Sequence, residues 1–129
     1  MAIKKNVLVI AICLIATAAS VAIAQKGISV VKRVSFSKGR TTSILKGSIK
    51  RGVSHDYLLR AQNGQGMTVH LASKGSISFS ILSPSGQSLS DFSHDWTGTL
   101  PESGDYRINV LPPTEDDKSV TYTLEVTIR

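Results

Sequence analysis

Cysteine is almost missing from this chain. Cys13 is the single one in 129 residues, and it lies inside an apolar N-terminal run. The remainder therefore has no disulfide framework, no thiol nucleophile and no cysteine zinc site. Histidine is scarce as well. His55, His70 and His94 fall on separate stretches, with no spacing that sets two of them on one face. Aromatic residues make up 5% of the chain, with one tryptophan, so few rings are available to stack on bases. Beyond the N-terminal run there is no helical periodicity of useful length, no internal repeat, no linker and no low-complexity segment. A fold without staples must be held by its core.

What is present begins with a leader. Lys4 and Lys5 precede an apolar run over residues 7–18, and Ala22-Ile23-Ala24 then offers small residues where a signal peptidase reads. The run is short of the roughly 20 apolar residues that a spanning helix needs. A lipoprotein would want a small residue before Cys13, where Ile12 stands. The reading is a signal peptide over residues 1–24, a folded domain over 25–129, and a periplasmic or secreted protein with no membrane attachment after cleavage.

In that domain, apolar residues alternate with polar ones at period two, which is the strand signal. Residues 30–36, 43–49 and 56–62 read as the first three strands. Met67, Val69 and Leu71 mark a fourth, and Ile77, Phe79 and Ile81 a fifth. Residues 88–92 and 96–100 are short pieces. Tyr106, Ile108 and Val110 follow, and Val120–Ile128 closes the chain. Gly47 suggests a bulge or a close approach, and Asn63-Gly64 is a hairpin signal. Residues 25–32 read as a loose tail. The expectation is an all-β fold, an antiparallel β-sandwich of about eight short strands. Unpaired edge strands leave a homodimer open.

Charge is uneven along the chain. The formal net charge is +6, and removal of Lys4 and Lys5 leaves +4. Residues 26–60 carry nine bases and one acid, Asp56, whereas residues 91–117 carry seven acids and one base, Arg107. The acidic stretch could face a cationic partner, or it could be solvated surface. Nucleic acid is not expected, because the bases are dispersed with few aromatics among them.

Chemistry is thinly supported. Ser103, His94 and Asp105 or Asp95 can be drawn as a triad, but there is no nucleophile elbow and no glycine run for an oxyanion hole. Glu115-Asp116-Asp117 lacks the staggered oxygens and the glycine of a calcium loop. No metal, no cofactor and no enzymatic activity are expected. Trp96 reads as a core or rim packer rather than a sugar platform, and Met67 belongs to the inward set.

Binding remains, and the sharpest feature for it is Leu100-Pro101-Glu102-Ser103-Gly104-Asp105-Tyr106, a proline–glycine turn running straight into a strand. This motif, with Val34-Ser35-Phe36-Ser37-Lys38-Gly39, Leu45-Lys46-Gly47-Ser48-Ile49-Lys50, Tyr57-Leu58-Leu59-Arg60-Ala61 and a closing Tyr-x-Leu-x-Val-x-Ile strand, resembles the small periplasmic inhibitors of goose-type and invertebrate-type lysozymes. The resemblance runs from Val34 to Ile128. Gly64-Gln65-Gly66-Met67-Thr68-Val69, the Pro84-Ser85-Gly86 turn and the Leu-Pro-x-Ser-Gly-Asp-Tyr run are also similar to exported β-sandwich domains of the pre-peptidase C-terminal type.

The first resemblance implies a lysozyme partner and a mode of action. The turn of Ser103, Gly104, Asp105 and Tyr106 would enter the enzyme's cleft. Hydroxyls of Ser103 and Tyr106 would meet its catalytic carboxyl groups, and Gly104 would allow close backbone approach. The second implies a non-catalytic envelope module for a glycan or an exported protein. Tyr106 carries a tension of its own, being in phase with Ile108 and Val110. It can equally be a buried corner tyrosine whose hydroxyl satisfies nearby backbone, with the core fixing Tyr106 while Ser103 and Gly104 present the contact.

Overall fold

A computed structural model describes residues 27–114 and 118–129. The leader expected at residues 1–24, with Cys13, and the acidic triplet at 115–117 lie outside the described residues. Nine strands are found among those described: β1 (Ile28–Arg33), β2 (Thr42–Ile49), β3 (Val53–Ala61), β4 (Gly66–Ser73), β5 (Ser78–Leu82), β6 (Ser88–Ser93), β7 (Asp95–Thr99), β8 (Gly104–Leu111) and β9 (Val120–Ile128). They form two sheets, one of five strands in the order β1-β3-β8-β5-β6 and one of four in the order β2-β9-β4-β7.

Burial follows the period-two pattern. Tyr57, Leu59 and Ala61 of β3, Tyr106, Ile108 and Val110 of β8, and Phe79 and Ile81 of β5 point inward from the five-stranded sheet. Met67, Val69 and Leu71 of β4 and Tyr122, Leu124 and Val126 of β9 meet them from the four-stranded sheet. Burying such side chains contributes about 1.5–3 kcal/mol each. Trp96 is partly buried and packs against this core. Gly47 is a close approach and not a bulge, because β2 pairs with β9 in unbroken register. A Cβ at Gly47 would lie 2.5 Å from Tyr122 Oη. The ring crosses that gap, and its hydroxyl meets Tyr57 Oη at 2.5 Å and His55 Nδ1 at 2.7 Å, tying the two sheets together. Burial, and then the hydrogen bond to Tyr57, pushes the Tyr122 hydroxyl's pKa above its ordinary value.

Three readings of the sequence change. Residues 28–33, within the expected loose tail, form a strand, and β1 ends at Arg33 where the first strand was expected to run to Phe36. β1 pairs with β3 in parallel, the exception to the antiparallel pattern of the other ladders. All six of its residues are exposed, so ladder hydrogen bonds rather than core burial hold it. Finally, Asn63-Gly64 does not close a hairpin. β3 and β4 lie in different sheets, and the turn carries the chain across the sandwich.

Candidate functional site

The loops at residues 62–65, 83–87 and 100–104 gather at one end of the sandwich. Ala61 pairs with Gly104 where β3 ends and β8 begins, and Gly66 pairs with Thr99 at the start of β4. Leu100 is fully buried and anchors the turn. Its carbonyl accepts from Gly64 N–H and its own N–H donates to Gln65, each at 2.8 Å, so the 100–104 turn is laced to the 62–65 turn.

Each of the four residues singled out from the sequence has a defined place here. Tyr106 is buried. Its hydroxyl donates to the Glu102 carbonyl at 2.6 Å and accepts from the Glu102 N–H at 3.0 Å, closing the turn on itself. This is the geometry of a tyrosine corner. Gly104 has φ of +140°, where a side chain is strained, and a Cβ there would stand 3.0 Å from the Pro84 ring. The 83–87 turn thus backs the 100–104 turn, and the Ser85 hydroxyl donates to a Glu102 carboxylate oxygen at 2.7 Å. Hydrogen bonds from Ser83 and Ser85 hold the Glu102 carboxyl below its usual pKa.

Asp105 accepts both arms of the Arg33 guanidinium, at 3.0 and 2.8 Å. That hydrogen-bonded pairing, with Arg60 nearby, lowers the pKa of the Asp105 carboxyl. Ser103 is exposed, and its hydroxyl oxygen accepts the Asn63 main-chain N–H at 2.9 Å. Five groups from elsewhere in the chain therefore brace the turn by hydrogen bonds: the Gly64 N–H, the Gln65 carbonyl, the Ser85 hydroxyl, the Arg33 guanidinium and the Asn63 N–H. The surface it presents is Pro101, Ser103 and Asp105.

Charge segregation along the sequence becomes pairing in space. Arg33 meets Asp105, and Arg107 meets Asp56 at 2.8 Å. Asp56 is 4% exposed and also accepts from Ser29 and from the Asn109 amide. Of the two acids at this turn, Asp105 is matched by Arg33, while Glu102 is held by serine hydroxyls.

The drawn triad does not assemble. The His94 carbonyl accepts from Leu71 N–H, toward the far end of β4 from Gln65, which is laced to Leu100. About 20 Å of strand separates the two places. The structure instead puts His70 Nδ1 on Asp95, at exposed positions of the neighbouring strands β4 and β7. Among the described residues no cluster of three or more His, Cys, Asp or Glu could hold a metal ion. Two shallow grooves, of about 280 and 550 Å³, lie against the four-stranded sheet, and residues 100–106 line neither.

Sequence reasoning missed Asn63, Pro84 and Arg33 as parts of this site. They lie 40, 20 and 72 residues from their partners Ser103, Gly104 and Asp105, and no local signal marks such contacts. The proline-glycine pairs at both turns were visible; that they meet was not.

No protein-family model and no curated protein sequence matches the chain. Solved structures do. Aeromonas hydrophila PliG, a periplasmic lysozyme inhibitor of g-type lysozyme, superposes with a TM-score of 0.72 at 29% identity, over 79% of this chain and 98% of that one. Salmonella Typhimurium PliG, of the same description, gives 0.63 at 24% identity, over 78% of this chain and 98% of that one. The pre-peptidase C-terminal domain of a Bacillus anthracis collagenase gives 0.55 at 12% identity, over 80% and 98%, which is a likeness of fold alone. By structure, the chain is thus similar over nearly all of their length to periplasmic inhibitors of g-type lysozyme.

Proposed function

We propose that this is an exported, non-catalytic inhibitor of a g-type (goose-type) lysozyme, acting in the periplasm by placing the Ser103-Gly104-Asp105-Tyr106 turn in the enzyme's substrate cleft. The observation that carries the proposal is the structural likeness to PliG over nearly the whole of that protein. The braced turn supports it. A loop already held in one conformation loses little freedom on binding, which favours affinity.

Roles within the turn follow from its bonding. Tyr106 is the strut, since its hydroxyl is occupied by Glu102. Ser103 and the main chain at Gly104 make the contact. Asp105 lies at the edge, matched by Arg33. A direct bond from the Tyr106 hydroxyl to an enzyme carboxyl group would require the corner to open.

The grooves on the four-stranded sheet, floored by Thr68, Thr97 and Thr127 in one case and by Thr121 and Thr123 in the other, favour a second reading. That reading is a non-catalytic envelope module binding a glycan or an exported protein. A lysis assay with goose-type, invertebrate-type and chicken-type lysozymes separates the two. The proposal expects inhibition of the goose-type enzyme; no inhibition of any of them at micromolar protein would end it.

A further inference from the structure

The 62–65 turn has a defined type. Gln65 N–H donates to the Gln62 carbonyl at 3.1 Å, Gly64 has φ of +91°, and Asn63 keeps a negative φ. Those are the marks of a type II turn, with Asn63 at its second position and the obligatory glycine at its third. In such a turn the N–H of the second position points away from the turn's own hydrogen bond. Here it is spent on the Ser103 hydroxyl oxygen, at 2.9 Å. Ser103 is thus an acceptor within its own fold. Among the described residues its hydroxyl proton has no acceptor.

We propose, resting on the reading of residues 100–106 as the contact turn, that the Asn63 main-chain amide is a positioning group that orients Ser103 as a hydrogen-bond donor toward the bound enzyme. A hydroxyl carries one donor and two acceptor sites. Occupying one acceptor site with a fixed N–H restricts rotation about the Cβ–Oγ bond. It also polarises the O–H, since a hydroxyl that accepts a hydrogen bond donates a stronger one. The enzyme group that meets Ser103 is then an acceptor, a carboxylate or a carbonyl oxygen, and a carboxylate gains most from a polarised donor. Only the amide of residue 63 matters, not the asparagine side chain.

Proline suits the second position of a type II turn, but its Cδ would take the place of the N–H and run into the Ser103 hydroxyl oxygen, which stands 2.9 Å from that nitrogen. Replacing the peptide N–H of residue 63 by an ester oxygen, with the asparagine side chain kept, deletes the donor without added bulk, whereas Asn63→Ala keeps the donor. The measurements are the inhibition constant against a goose-type lysozyme and the melting temperature, for the residue-63 ester, Asn63→Ala, Ser103→Ala and the ester combined with Ser103→Ala. Asn63→Ala should inhibit like the parent. The ester should inhibit roughly threefold to tenfold more weakly, the range for one net neutral hydrogen bond.

In the Ser103→Ala background, the residue-63 ester should have no further effect. Such a double-mutant cycle cancels any general disturbance of the loop, which would weaken both backgrounds alike. An ester equal to the parent, with Ser103→Ala impaired, overturns the positioning role and leaves the contact turn standing. So does a loss of equal size with the ester in both backgrounds. Ser103→Ala equal to the parent overturns the contact reading itself.

Discussion

At the scale of single residues, Tyr106 and Ser103 divide the work of one motif. Tyr106→Phe keeps the ring in the core but leaves both the carbonyl and the N–H of Glu102 without their partner. The expected outcome is a loss of about 1–3 kcal/mol in urea unfolding. Inhibition should fall only as far as the turn loosens. Gly47 is a sharper structural test. A methyl group in Gly47→Ala would be driven into the Tyr122 ring, whose Cζ would lie 2.6 Å from it. Overpacking of this kind costs about 1–3 kcal/mol. The variant should melt lower and, because it is far from the 100–104 turn, should inhibit at its folded concentration as the parent does. The role of Gly47 was half legible in the sequence, where an isolated glycine in a strand pattern announced a bulge or a close approach. The identity of the neighbour, Tyr122, was not, because it is 75 residues away.

At the scale of elements, β1 stands apart. Ile28, Val30 and Val31 are exposed. The strand is held by its parallel ladder to β3, by Ser29 on Asp56, and by Arg33 reaching across to Asp105. Exposed ion pairs contribute about 0–1 kcal/mol. With so little burial, its amides should exchange with solvent faster than those of β3, β8 or β9 in a hydrogen-exchange experiment. Arg33→Ala should speed β1 exchange further with little change in global stability. Equal protection of β1 and β8 would contradict this.

The same strand shows where pattern reading stops. The alternations at 57/59/61, 67/69/71, 106/108/110 and 122/124/126 announce a buried face, so β3, β4, β8 and β9 were readable. β1 buries neither face and has no such alternation to show. Asn63-Gly64 signalled a reversal correctly, but turn chemistry fixes a local bend, not the sheet that the next strand joins.

At the scale of the whole molecule, two sheets are joined inside the core by polar contacts as well as apolar ones, and this gives the fold a pH dependence. His55 bonds to Tyr122, and its pKa is lowered by burial first and by Lys32 second, with Asp56 opposing. An unfolded histidine titrates near pH 6.5. As pH falls through that value the unfolded chain takes up a proton that the folded state resists. Stability should therefore fall with decreasing pH from about 7 toward the lower folded pKa, and then level off. The folded pKa values of Glu102 and Asp105 are depressed as well, but from the carboxylate range, so their contribution is lost only at more acid pH. Melting temperature against pH, compared with His55→Gln, checks the first of these: the variant should lose the slope between pH 7 and 5.

Charge teaches the same lesson as topology. The basic and acidic halves of the sequence looked like two poles, but Arg33–Asp105 and Arg107–Asp56 fold them onto each other. On the proposed reading, what the molecule offers a partner at its loop end is a braced, hydrogen-bonding turn. The most direct test of that claim is a titration of goose-type lysozyme lysis with the parent protein and with Ser103→Ala. The parent should stop lysis at or below micromolar concentration, and Ser103→Ala should be at least about tenfold weaker, the effect of losing a buried hydrogen bond to a charged group, with an unchanged melting temperature. A parent that does not inhibit, or a Ser103→Ala protein that inhibits equally well, would contradict the account.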